Sequence, residues 1–269
     1  MPTDLLGLPQ RLRERWKELS PDSYNRLRRL YRKLRPLRQE LPPYGSIVVV
    51  DGIKMRVDPR MSDYNIKKLM AGRHTIHERR LVLGVLEPDD IVMELGGGIG
   101  MVAIACAKRI GSERVFSYEA NPRLESLIRD NYALNDVAPT LKMCMLGSGA
   151  GSHTFYLAKK FSRSSAYDSE EDSEAIEVPV EPFNDEVRRI APSVLIVDIQ
   201  GSEKEFVDYA DLGTVKKLLI EVHPRIIGVV AAKAVRERVE TMGFAMQAEG
   251  ANSQLYLREE ASSRAEPSL

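Results

Sequence analysis

Only two cysteines, Cys106 and Cys144, occur in the 269-residue chain. Two are too few for a disulfide framework, and their spacing matches no metal-binding pattern. Both fall in apolar stretches, so buried free thiols are expected, which suits a reducing compartment. No apolar run approaches the roughly 18 residues of a membrane span. An excess of one charge is lacking too. Lys and Arg number 39, Asp and Glu 39, so bulk charge predicts no general affinity for nucleic acid or anionic membrane. The first residues, MPTDLLGLPQRLRERW, lack the apolar centre of a secretory signal, and Asp4, Glu14 and Glu18 do not suit an organellar presequence. A cytoplasmic protein is expected.

The composition that remains, 43% hydrophobic and 29% charged, is ordinary for a globular chain. The length suits one large α/β domain with an extension. Three regions are read: a basic helical extension over 1–45, a main domain over 46–258 and a disordered tail over 259–269. In the extension, Ser20 caps a helix with Pro21 in its first turn. Leu27, Leu30, Tyr31 and Leu34 then make one apolar stripe, with six Arg and Lys from Arg26 to Arg35 on the other faces. Such a helix packs on the main domain or on a second copy in a homodimer, or its basic face meets an acidic substrate or anionic lipid.

SIVVVDGIKMRVDP reads as a β-hairpin around Asp51-Gly52, a dipeptide that favours a type I′ turn. A helix follows from His74, and His74 and His77 are candidates for a pocket wall. After the breaker Glu87-Pro88-Asp89-Asp90, short apolar strands alternate with amphipathic helices. Strands are expected at 91–95, 114–119, 141–146, 194–199, 215–222, 244–247 and 254–257. Helices are expected at 99–109, 122–134, 203–209 and 227–242, the last capped by Gly243. This alternation predicts a mostly parallel sheet with helices on both faces. Between them, Phe161 to Glu177 is Ser- and acid-rich without a period, and reads as a solvated loop or a lid.

Within IVMELGGGIGMVAI, Gly96, Gly97, Gly98 and Gly100 form a strand-to-helix turn. A triphosphate-binding loop would need Lys-Ser/Thr after the last glycine, and Met101-Val102 stands there. A dinucleotide loop needs GxGxxG, and here the third glycine comes one position early. The spacing instead fits E/D-x-G-x-G-x-G, the first motif of S-adenosylmethionine-dependent methyltransferases. Gly96 and Gly98 then let the backbone approach the cofactor, and Gly100 lets the helix pack closely. Glu119 ends the next strand, where a carboxylate accepts ribose hydroxyls. Further strand ends carry Glu94, Asp198, Glu221 and His223. In a sheet of this kind ligands collect at the carboxyl ends of the strands.

Taken together, ELGGGIG, YEANP, DIQGSE and IEVHP resemble the FkbM family of S-adenosylmethionine-dependent methyltransferases, from about His74 to about Leu257. Glu94 stands for the usual Asp, Gly98 for the usual Asn, and Ile196 where the family often has Lys. The resemblance implies a class I (Rossmann-like) methyltransferase fold. Its seven-stranded sheet has an antiparallel last strand, and here it would carry the added helical extension and β-hairpin. It also implies methyl transfer, usually to oxygen, on secondary metabolites or saccharides, with S-adenosylmethionine as cofactor and S-adenosylhomocysteine as product.

The cofactor is assigned to Glu94, Gly96, Gly98, Gly100, Glu119, Ala120, Asn121, Leu146 and Asp198. His223 is the expected base, since neutral imidazole suits proton uptake near pH 7, with Asp198 and Glu221 beside it. Glu203, Ser164 and Ser165 are expected to meet the acceptor, although Glu203 at a helix start also suits a cap. A divalent ion on these acids and His223 is possible but not favoured. The competing readings are an NAD-dependent oxidoreductase and a non-catalytic binding protein on the same fold. No nucleic-acid partner is expected, because basic and aromatic residues do not interleave on the core.

Overall fold

The computed structural model describes residue 20, residues 41–157 and residues 174–259. Most of the expected basic extension, residues 161–173 of the expected loop or lid with Ser164 and Ser165, and most of the tail lie outside the described residues.

β1 (Ile47–Val50) and β2 (Ile53–Arg56) pair antiparallel as expected. Asp51 and Gly52 have φ of 50° and 78°, the positive pair that a type I′ turn requires. Two helices follow. α1 (Asp63–Met70) was not expected; the Ser62 hydroxyl caps it by accepting from the Asn65 amide. α2 (Ile76–Val85) is the helix foreseen after His74.

The alternating core comes next: β3 (Val92–Leu95), α3 (Met101–Ile110), β4 (Val115–Tyr118), α4 (Glu125–Leu134) and β5 (Thr140–Lys142). The expected strand over 141–146 is broken at Met143–Cys144. Its second half, β6 (Met145–Gly147), leaves the large sheet and pairs elsewhere. β7 (Gly151–Leu157) and β8 (Glu174–Pro182) join β6 in a three-stranded sheet of order β6-β8-β7. Thus the end of the acid-rich segment, residues 174–177, is strand rather than loop. Alternation explains it. Ala175, Glu177 and Pro179 face solvent, while Ile176 and Val178 between them pack with Phe155 and Leu157 in a small second core.

α5 (Phe183–Ile190) leads into β9 (Val194–Val197), α6 (Glu203–Tyr209) and β10 (Lys217–Glu221). The expected helix over 227–242 is interrupted at Gly228, which separates α7 (Pro224–Ile227) from α8 (Val229–Thr241). β11 (Phe244–Gly250) and β12 (Ser253–Arg258) complete the described chain.

The large sheet runs β11-β12-β10-β9-β3-β4-β5. β12 is antiparallel to both neighbours and every other pairing is parallel. This is the class I methyltransferase fold, an α/β sheet of seven strands. β3 and β9, at its centre, are buried along their whole length, so both faces of the sheet are covered. Cys106 and Cys144 are free and buried within this core.

Two features hold the ends of the sheet. At the amino-terminal ends of the strands, Lys217 Nζ lies 2.6 Å from Glu87 and 2.7 Å from buried Asp90. Near the carboxyl ends, Phe206 packs edge-on against Phe183 at 5.0 Å and Tyr209 at 5.9 Å. That aromatic trio seats α6 firmly beside the β9 end, where the polar groups gather. No helix among the described residues is long and apolar enough to cross a membrane.

Candidate functional site

A cavity of about 570 Å³ opens at the carboxyl ends of β3, β4, β9 and β10. Glu94, Glu119, Asp198, Glu221 and His223, the five polar groups read from the sequence as strand ends, all line it, from four strands. So do Gly96, Gly98, Ala120 and Leu146. The topology explains the convergence. Parallel strands put every carboxyl end at one edge, and from the adjacent β3 and β9 the chain continues to β4 and to β10, in opposite directions along the sheet.

The glycine loop is shaped by close approach. Gly96 has φ 88°, and a Cβ there would overlap the carbonyl oxygen of Asp198 and stand 2.9 Å from its carbon. Gly98 faces open space and donates its N–H to Glu119 Oε2 at 2.7 Å. The Asn121 amide holds the other oxygen of Glu119 at 2.8 Å. Glu119 is therefore locked by two backbone donors, with lone pairs left for a ligand.

Three expected contacts are placed differently. Gly100 lies off the cavity, where a Cβ would stand 2.8 Å from the Tyr132 ring and 3.2 Å from Ile128; it lets α3 approach α4 rather than the sheet. Asn121 also turns away. Its side chain is buried and caps the next turn through the Arg123 amide. Glu203, expected at the acceptor, is fully buried behind His223 and does not reach the cavity. The short β9–α6 turn draws it inward: Glu203 Oε1 accepts from the Gly201 amide at 2.9 Å and lies 2.6 Å from His223 Nδ1. Of the two candidate wall histidines, His74 lines the cavity and His77 is exposed.

Other groups were not visible in the sequence pattern. Glu78, from the first turn of α2, hydrogen-bonds Glu221. Gln200 donates to Asp198 Oδ1 at 2.7 Å. Among the described residues, Lys68 on α1 and Arg225 on α7 bring positive charge to the cavity wall.

Among the described residues the site is short of positive charge. Burial pushes Glu94 up to about 7, partly opposed by its 2.5 Å bond from Ser117, with the charges of Glu119 and Asp198 adding to the rise. Burial likewise pushes Glu119 up to about 7 against the backbone N–H groups of Asn121, Gly98 and Ala120, with the charge of Asp198 adding to the rise. Asp198 rises to about 6 through burial, relieved in part by His223. Burial, then the charge of Asp198 and the bond to Glu78, raise Glu221, so the Glu78–Glu221 pair shares a proton. For His223, burial opposes the charged ring. The Glu203 bond and the charges of Asp198, Glu203 and Glu78 outweigh it, and its pKa is raised.

Ligand atoms of Asp198, Glu221 and His223 lie within 4.8 Å of one another, a spacing that a divalent ion can bridge. The two carboxyls already have partners in Gln200 and Glu78, so the arrangement serves a proton at His223 Nε2 at least as well.

Residues 46–150 match the TRM5/TYW2 methyltransferase domain. That span holds the hairpin, the glycine loop and Glu119; it stops before Asp198, Glu221 and His223. The chain is 33% identical over 111 residues to a ribosomal protein L11 methyltransferase of Pelobacter propionicus, covering 38% of this chain and 31% of that protein. It is 29% identical over 91 residues to a putative protein N5-glutamine methyltransferase of Methanocaldococcus jannaschii, covering 34% and 41%. The chain thus spans less than half the length of either relative. Among solved structures, TYW2 of Pyrococcus horikoshii in complex with MeSAdo is 15% identical. The likeness covers 79% of this chain and 69% of that one with a TM-score of 0.41.

Proposed function

We propose that the protein is an S-adenosylmethionine-dependent methyltransferase that methylates a hydroxyl oxygen of a small molecule, secondary metabolite or saccharide, as the FkbM resemblance implies. One observation carries the choice of cofactor. The cavity beside the glycine loop gathers Glu94, Glu119 and Asp198, all raised above the usual carboxylate range, and so favours a ligand with net positive charge. A dinucleotide fits poorly. Its pyrophosphate would face these acids, and the Gly98 amide it would use already donates to Glu119.

S-adenosylmethionine, when bound, supplies a methyl group activated on a sulfonium. Glu119 would accept from the ribose hydroxyls, Gly96 and Gly98 would flank the cofactor with bare backbone, and Glu94 or Asp198 would balance its cationic groups. At the β9 and β10 ends, His223 Nε2 would take the proton of the acceptor hydroxyl while Asp198 and Glu221 orient it. Positioning of this kind contributes up to about 7–11 kcal/mol of a barrier.

The matched family domain covers the cofactor half of the site only, so the acceptor rests on the strand-end geometry and the resemblance. The names of the two curated relatives favour a second reading, a protein acceptor. Transfer from methyl-labelled S-adenosylmethionine to a panel of hydroxylated metabolites, saccharides, ribosomal proteins and tRNA separates them. Label in a base-stable ether on a small acceptor is expected. Label confined to protein or RNA would overturn the hydroxyl assignment.

A further inference from the structure

We infer that Glu203 is a positioning residue: its buried carboxylate fixes the ring and tautomer of His223 so that Nε2 faces the acceptor as the base. The inference rests on the methyl-transfer reading above and assigns the acid of DIQGSE, which the reaction otherwise leaves unused.

The geometry is specific. Glu203 is fully buried, and its Oε1 lies 2.6 Å from His223 Nδ1. The same oxygen accepts from the Gly201 amide at 2.9 Å, so the β9–α6 turn holds the carboxylate still. A carboxylate can only accept, so in the neutral ring the proton sits on Nδ1 and the Nε2 lone pair is exposed. Among the described residues Nε2 has no close partner to compete for it. Asp198 Oδ1 and Glu221 Oε1 are each 3.6 Å away, beyond a hydrogen bond. Once Nε2 takes a proton, the imidazolium lies between the Glu203 charge and the strand-end acids, which stabilise it. The spacing of D-x-x-G-x-E follows: Asp198 faces the cavity, Gly201 supplies the anchoring N–H, and Glu203 stands behind the base.

The charged or titratable groups around the ring are Glu203 on α6, Asp198 after β9, Glu221 on β10, Glu78 on α2 and Arg225 on α7, with Lys68 near Glu221. Their balance favours the protonated ring, and removing the charge of Glu203 lowers that preference.

The test is an NMR titration of the histidine ring signals in the full-length protein, assigned with His223→Asn. Four histidines make this tractable. Wild-type His223 is expected to carry its neutral proton on Nδ1 and to titrate above an ordinary imidazole. In Glu203→Gln, which keeps an oxygen for both donors, the midpoint is expected to move down. The acid limb of kcat should follow it, with kcat reduced about tenfold or more and KM little changed. An unmoved His223 midpoint in a folded Glu203→Gln, or a neutral ring protonated on Nε2, would overturn the inference. So would Mg²⁺, Mn²⁺ or Zn²⁺ binding stoichiometrically and abolishing the His223 titration, since a metal site would then be shown. The titration uses the free protein, so failure of methyl transfer alone leaves its result readable.

Discussion

Replacing Gly96 with alanine is expected to cost both the fold and the site. The residue has φ 88°, and its Cβ would overlap the Asp198 carbonyl. An L side chain in the left-handed region costs roughly 1–2 kcal/mol, and forcing extra volume against packed atoms typically adds about 1–3 kcal/mol. The clash is with backbone, which cannot rotate away, so the upper part of that range applies. A loss on the order of 3–5 kcal/mol is a large fraction of a domain's stability of about 5–15 kcal/mol. Relief would require the β3 and β9 ends to part, spreading the two halves of the cavity. Chemical denaturation should show the fall in midpoint, and calorimetry the loss of cofactor binding. A Gly96→Ala protein with wild-type stability and affinity would contradict this account of the loop. Gly98→Ala is the contrast: nothing stands within 4 Å of its Cβ, so only the strain of its φ of 57° remains, and the stability loss should stay near roughly 1–2 kcal/mol.

His223→Asn is expected to separate chemistry from cofactor binding. Loss of a general base typically lowers turnover about 10²–10⁴-fold, whereas the cofactor half of the cavity lies at the β3 and β4 ends and is untouched. In the wild-type enzyme the base must be neutral. Activity should therefore fall as pH drops through the His223 pKa, which the surrounding acids raise above the ordinary value. The variant should lose that acid limb while its affinity for S-adenosylmethionine stays within a few-fold. Equal kcat in the two proteins would move the proton transfer to Asp198.

The four acidic strand ends were legible because an apolar run that stops at an acid is a local signal, and parallel strands bring such stops to one edge. The sheet was legible for the same reason. What escaped depended on packing between distant segments. Glu78 and Arg225 enter the cavity from helices, and no local pattern ties them to it. Glu203 looked like a ligand contact or a cap, and only the sharpness of the β9–α6 turn sends it behind His223. Other misses did carry a signal. Ile176, Val178 and Val180 alternate with Glu177, Pro179 and Glu181 in β8, although the Ser- and acid-rich residues before them suggested a loop. Phe183, Val187 and Ile190 recur at helical spacing, and all are buried in α5. The division of 141–146 between two sheets had no local mark.

The central claim is that the acidic cavity beside the glycine loop takes a cationic adenosyl ligand. Calorimetric titration of the protein with S-adenosylmethionine and, separately, with NAD tests it most directly, repeated with Glu119→Ala. Glu94 and Glu119 are both raised to about 7. A cation favours their ionised forms, so binding near pH 7 should release protons and weaken as pH falls below that value. The account predicts micromolar binding of S-adenosylmethionine with proton release, lost in Glu119→Ala, and no binding of NAD. Preferential binding of NAD, or a folded protein that takes neither, would contradict it.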